Sequence, residues 1–134
     1  MAPNERLGRL ALAVAGSMLL VVGLRGLFTP RVLLAEVGIP LLGTPALSEI
    51  RSSFGGKDLG MALLFLLAVV LPGLRSAALV AVVAYMGGLA MGRVVSAILD
   101  GVPDALIATL FAAEAVAATL ALAALALPTA KTAG

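Results

Sequence analysis

The chain has 134 residues, of which 62% are hydrophobic and 12% charged, against about 45–50% and about 25% in soluble domains. One small core could not hide that much apolar surface, because small domains bury only about two thirds of what their unfolded chain exposes. A water-soluble fold is therefore excluded, and with a formal charge of only +2 and scattered basic residues so is a nucleic-acid-binding surface.

The residue types that are missing narrow the chemistry further. There is no His, Cys or Trp. This removes His- or Cys-ligated haem, zinc centres, thiol redox chemistry and any His-dependent nucleophile system. Neither a metal nor a cofactor is expected. Acid–base work would fall to carboxylates, the two lysines or Tyr85, the single tyrosine.

A helix that crosses a bilayer needs about 20 mostly apolar residues. Four stretches qualify: about 7–28, 45–71, 76–99 and 103–127. Thr29-Pro30 stops the first, since Pro cannot continue the hydrogen-bond ladder. The first stretch is too long for a signal peptide and lacks a cleavage site. A connector follows over 29–44, rich in Pro and Gly, with room for two turns of interfacial helix over Arg31–Val37. Thr44-Pro45 reads as the cap and first turn of the second helix. Pro72-Gly73 ends that helix, Asp100-Gly101 turns the chain after the third, and Pro103 falls in the first turn of the fourth. The tail 128–134 reads as disordered. The expectation is an all-α, integral membrane, four-helix up-down bundle in one domain over 1–134, with no soluble domain. Short connections make neighbours antiparallel. Arg6, Arg9, Arg75 and Lys131 then share one side, against Arg31, Glu36, Asp100 and Asp104 on the other. The positive-inside rule puts both termini in the cytoplasm.

In lipid, small residues let helices approach. Ser52, Gly56 and Gly60 form one such row on the second helix. Ala84, Gly88, Gly92 and Ser96 form another on the third, and Ala113, Ala117 and Ala121 a third row on the fourth. The expectation is that the second and third helices pack face to face through Gly56, Gly60, Gly88 and Gly92.

The second helix also carries charges: Glu49, Arg51, Lys57 and Asp58, with Arg93 on the third and Glu114 on the fourth. A charge at bilayer centre costs at least ~2.5–3.5 kcal/mol, so such groups usually face inward and pair. At about 100° per residue, Glu49, Ser53, Gly56 and Gly60 share one helix face, and Arg51 and Asp58 the other. If the small rows meet, Glu49 comes beside Arg93. A polar cluster of Glu49, Arg51, Lys57, Asp58 and Arg93 follows, with a Glu49–Arg93 ion pair at its heart. Against this stands a plainer reading. Glu49 and Arg51 would sit in water at the interface, Lys57 would snorkel along its stem, and Arg25 would anchor at the interface. Tyr85 would then be a core residue with one hydrogen bond, and Glu114 an interior group that need only be hydrogen-bonded.

The stretch Glu49-Ile50-Arg51-Ser52-Ser53-Phe54-Gly55-Gly56 resembles a Glu-x-Arg-x-x-(Tyr/Phe)-Gly-Gly signature. The later Gly87-Gly88…Gly92-Arg93…Ser96, followed by Asp100-Gly101-Val102-Pro103, resembles a second signature of the same family. This is the bacterial four-helix membrane family known as domain-of-unknown-function family 4345, grouped with DoxX-like small membrane proteins. The resemblance spans nearly the whole chain and implies the fold; the family has no assigned reaction. It implies that Glu49, Arg51, Gly55, Gly56, Gly92 and Arg93 hold signature positions. Lys57 departs from the pattern, which has an apolar residue there.

Two functions remain open. One is a non-catalytic membrane protein, acting as an accessory subunit of a larger membrane protein or as the binder of a lipophilic small molecule, with self-association allowed. The other is a membrane enzyme of isomerase or cyclase type, with Glu49 or Asp58 as acid or base and Glu114 as a further candidate. A transporter fits poorly, because no inverted repeat is evident.

Overall fold

A computed structural model describes residues 3–40 and 43–127, and these are almost entirely helical. Helix α1 spans Pro3–Phe28, α2 Pro30–Glu36 and α3 Gly43–Ile50. A π-helical turn, Arg51–Gly56, joins α3 to α4, Lys57–Val70. Helices α5, Pro72–Leu99, and α6, Ala105–Ala126, complete the chain. The continuous helix Gly43–Val70 thus joins α1, α5 and α6 as four helices long and apolar enough to cross a membrane. The shortest, α6, has 22 residues and a length of about 33 Å.

The breaks lie close to where the sequence places them, with local corrections. Thr29 leaves helical geometry and Pro30 opens α2, because the residue before a proline avoids the α region. The same device separates α4 from α5. Leu71 is extended (φ −102°, ψ 100°) and Pro72 sits in the first turn of α5, so Pro72-Gly73 begins the third long helix one turn earlier than Ser76. Helix α3 begins at Gly43, which puts Thr44 inside the first turn instead of at the cap. Pro103 lies outside α6. The cap is Asp104, whose carboxylate accepts the Ile107 N–H at 3.0 Å. Gly38 (φ +72°) and Gly101 (φ +102°) take the left-handed conformations that turn the chain after α2 and α5. The short helix expected within the connector forms as α2, with its own Pro30 and Leu34 buried. The tail 128–134 lies outside the described residues.

The core is built from Leu12, Ala15, Leu19, Phe65, Val82 and Met86 with alanines of α6 between them. Helix α1 is the central element, packing on the Gly43–Val70 helix, on α6 and on α5. Gly16 meets Leu66, Gly23 meets Leu59, and Gly26 meets Phe54 and Gly55, so α1 and α4 run antiparallel. The α5–α6 pair is antiparallel too: Arg93 bonds Glu114 while Gly87 approaches Ala118. At the other end, Arg75 of α5 stands 4.0 Å from Glu5 and donates to the Val69 carbonyl.

The expected glycine interface does not form. A Cβ added at Gly60, Gly88 or Gly92 would meet nothing within 4 Å, and one at Gly56 only the Arg51 carbonyl oxygen at 3.9 Å. The close glycine contacts belong to α1 instead. A Cβ at Gly26 would lie 2.6 Å from the backbone of Phe54, and one at Gly23 2.7 Å from the Leu59 side chain. The physical reason is that a helical repeat of small residues says that a helix can be approached closely, not which neighbour approaches it.

Candidate functional site

The π turn is the local feature that organises the site. It coincides with the Arg51–Gly56 part of the signature stretch. The N–H of Lys57 reaches back five residues to the Ser52 carbonyl instead of four. Each π turn absorbs one extra residue. Faces counted at about 100° per residue through this segment are therefore rotated beyond it. This is why Arg51 and Asp58, expected on one face, meet different helices.

Arg51 donates from Nε to the Leu27 carbonyl at 3.0 Å. It thereby satisfies one of the carbonyls left open at the C-terminal end of α1. Gly26 and Gly55 make the contact possible, because α1 and the π turn touch backbone to backbone there. Glu49 remains exposed and accepts from Ser53 Oγ at 2.8 Å. The Glu49–Arg93 pair is thus absent. Glu49 is engaged one turn along its own helix, and Arg93 is taken by another carboxylate.

That carboxylate is Glu114, only 4% exposed. Arg93 donates from Nε and Nη2 to its two carboxylate oxygens, at 2.7 and 2.8 Å. The arrangement is a bidentate fork, the strong form of the interaction. It joins α5 to α6, whereas the sequence reading looked for the partner of Arg93 on the second long helix.

Asp58, also 4% exposed, accepts a hydrogen bond from the Tyr85 hydroxyl of α5. Lys57 Nζ stands 3.8 Å from Asp58, and 5.5 and 6.0 Å from the ring centres of Tyr85 and Phe54. Lys57 remains more than half exposed, with its ammonium near two aromatic rings. Tyr85 is the half-buried core residue with a single hydrogen bond that the plainer reading describes. The five residues of the expected cluster therefore do not converge. They divide among four places: Glu49 with Ser53, Arg51 at the end of α1, Lys57–Asp58 with Tyr85, and Arg93 with Glu114.

Beside the Arg93–Glu114 fork lies a cavity of about 560 Å³. Leu33 and Leu34 of α2, with Val37 and Ile39 just after it, line it on one side, and Phe54 of the π turn on another. Leu89, Gly92, Arg93 and Ser96 of α5, Pro103 before α6, and Ile107 and Leu110 of α6 complete it. Arg93 is the one charged side chain among these lining residues, and Ser96 the one hydroxyl. Arginine has five N–H donors and Glu114 uses two, so donors remain for a guest. Gly92 adds room, since its missing side chain would face open space. Sequence reasoning singled out Arg93 as an intramembrane charge, but it placed Gly92 and Ser96 in a packing row and not in a cavity wall. It missed the wall at and just after α2, because Leu33 and Val37 carry no signal beyond being apolar.

Helix α2 is tied down by Arg25, whose Nη2 donates to Glu36 at 2.6 Å. That hydrogen bond holds the Glu36 carboxyl below its ordinary pKa. Among the described residues, no group of three or more carboxylates comes together where a metal ion could be held.

The family model described as "Domain of unknown function (DUF4345)" matches residues 7–125. No curated protein and no solved structure matches the chain.

Proposed function

We infer, from the premise that this chain belongs to the DUF4345 family, whose description assigns no activity, that it is a small integral membrane protein that holds a lipophilic molecule between its helices. The membrane placement is supported by four long apolar helices, and by the large apolar side chains they expose away from their ends, such as Leu63, Val80 and Val116. Read as an up-down bundle in a bacterial inner membrane, in the DoxX-like manner, it keeps both termini cytoplasmic, beside Arg6, Arg9 and Arg75. The observation that carries the binding function is the cavity. Its volume falls in the range of small-molecule sites, its walls are apolar, and its polar groups converge at Arg93 and Ser96.

The guest would lay an apolar body along Leu33, Val37, Leu89 and Leu110 and turn a hydrogen-bond acceptor toward Arg93. The Arg93–Glu114 fork has no net charge, so a neutral acceptor such as a carbonyl or hydroxyl suits it better than a free anion. No carboxylate lines the cavity. An acid–base role for Glu49, Asp58 or Glu114 on this guest therefore has no geometric support, and a binding function is favoured over a catalytic one.

The test is native mass spectrometry of the protein gently extracted from its own membrane, beside the Gly92→Leu variant. Gly92 lines the cavity and a Cβ added there meets nothing within 4 Å, so a leucine starts unobstructed and takes up cavity space. The wild type should carry a defined lipophile and Gly92→Leu should lose it at unchanged helix content. Equal retention by both, or a wild type that emerges empty with a stoichiometric larger protein, would refute the reading in favour of an accessory subunit.

A further inference from the structure

We propose that the molecule held at Arg93 is a long-chain lipophile with one neutral acceptor head, and that its tail lies in a second cavity between α1 and α6. The inference rests on the binding reading above and names the class of its guest. The second cavity has a volume of about 450 Å³. Ser17, Val21 and Arg25 of α1 line it, spaced four apart and so on one helix face. Leu106 and Leu110 line it from α6, and Leu33, Glu36 and Val37 from α2 or just after it.

Leu33, Val37 and Leu110 line this cavity and the one beside Arg93 alike. Helical spacing accounts for the sharing on α6. Leu110 follows Leu106 by four residues and Ile107 by three, so it stands between the strip that faces the second cavity and the strip that faces Arg93. All three shared residues are apolar and half-buried. The two cavities therefore adjoin across side chains whose rotamers can yield to an alkyl chain. The lining decides which end of the guest goes where. The two charged residues of the second cavity, Arg25 and Glu36, are bonded to each other at 2.6 Å, so their charges cancel. Between Ser17 and Arg25, about 12 Å of helix, the α1 wall is Met18, Val21 and Val22. That length suits a chain and offers a polar head no partner. Val21 is 57% exposed and Leu106 41%, so the cavity is open at its side and a chain enters it from the bilayer core without crossing water.

Two methyl ketones test this on the full chain in detergent, one with a hexyl and one with a hexadecyl chain, each carrying a photoreactive diazirine at the chain end. Labelled residues are mapped by peptide mass spectrometry. The short probe should label the Arg93 cavity, at residues such as Leu89, and the long probe Met18, Val21 or Leu106. Excess unlabelled hexyl ketone should suppress both labels, because it takes the head site, and Gly92→Leu should lose both. Val21→Trp puts a larger side chain into the second cavity. It should lose the long probe's label and keep the short probe's, at unchanged helix content. Long-probe labelling that survives the short competitor or Gly92→Leu would overturn the proposal, because chains would then fill the second cavity without the head site. Long-probe labels confined to residues outside that cavity would overturn it too, as would an unchanged long-probe label in Val21→Trp. In each of these cases the short probe still labels the Arg93 cavity and the binding reading stands. A short probe that labels no cavity residue protected by the competitor would bring down the binding reading and this proposal with it.

Discussion

Two glycine-to-alanine substitutions, Gly26→Ala and Gly60→Ala, should move stability in opposite directions. Both residues lie in long apolar helices, and alanine is favoured over glycine there by about 1 kcal/mol. At Gly60 the new methyl meets nothing within 4 Å, so that preference is the whole effect and the variant gains up to about 1 kcal/mol. At Gly26 the methyl would lie 2.6 Å from the carbonyl carbon and oxygen of Phe54 and 2.8 Å from the Gly55 nitrogen. All three are backbone atoms and none can rotate aside. Ordinary van der Waals contact is reached only after α1 and the π turn separate by about 1 Å, and such overpacking costs about 1–3 kcal/mol. The same separation stretches the 3.0 Å bond from Arg51 to the Leu27 carbonyl past useful length. Losing a hydrogen bond to a charged group adds about 1.5–3 kcal/mol. Set against the helix preference, the net loss at Gly26 is about 1.5–5 kcal/mol. Unfolding by a denaturing detergent in mixed micelles, followed by circular dichroism, measures both variants. A Gly26→Ala protein as stable as the wild type would refute the close packing of α1 on the π turn. A Gly60→Ala protein destabilised by a similar amount would mean that the outward glycine row is buried after all.

The buried fork offers a second test. Glu114→Leu leaves Arg93 without its carboxylate and should cost about 3 kcal/mol, while adding Arg93→Leu, which leaves no orphan charge, should recover most of it. A double variant as unstable as the sum of the singles would show that the two groups do not act as a pair. Asp104→Ala removes the only side-chain cap seen on a long helix among the described residues and should cost about 1 kcal/mol, read by the same unfolding assay. Glu36 gives a pH dependence. Its carboxyl is held below its ordinary value, so the Arg25 contact supports α2 at neutral pH and is lost as pH falls through that lowered value. Amide hydrogen exchange over Pro30–Glu36, corrected for intrinsic rates, should accelerate in acid more than exchange in the middle of α1. Equal acceleration in both segments would argue that the ion pair does not hold α2.

Much of the architecture is legible without coordinates because it depends on local rules. The apolar stretches are long enough to read as four helices, and Thr29-Pro30, Leu71-Pro72 and Gly101 mark breaks that backbone sterics enforce wherever they occur. Arg93 and Glu114 stand out for the same kind of reason, as charges whose desolvation demands a partner. Asp58 does too, and the structure supplies that partner as Tyr85.

What the sequence by itself determined, then, is the helical class, the four apolar helices, the places where the chain turns, and which charges need partners. Only the tertiary structure decided who meets whom. Arg93 pairs with Glu114 instead of Glu49, and the glycines in close contact include Gly16, Gly23, Gly26 and Gly55 but not Gly60 or Gly88. The physical reason is that four apolar helices of similar length can be arranged around one another in several ways that bury nearly the same small residues. The choice rests on long-range fits of a few tenths of an ångström that no repeat encodes. The π turn adds a second reason. By absorbing one extra residue at Arg51–Gly56 it rotates everything after it. A helical wheel drawn straight through that segment places Asp58 on the face of Arg51, whereas the folded chain turns Asp58 to α5 and leaves Arg51 on the end of α1.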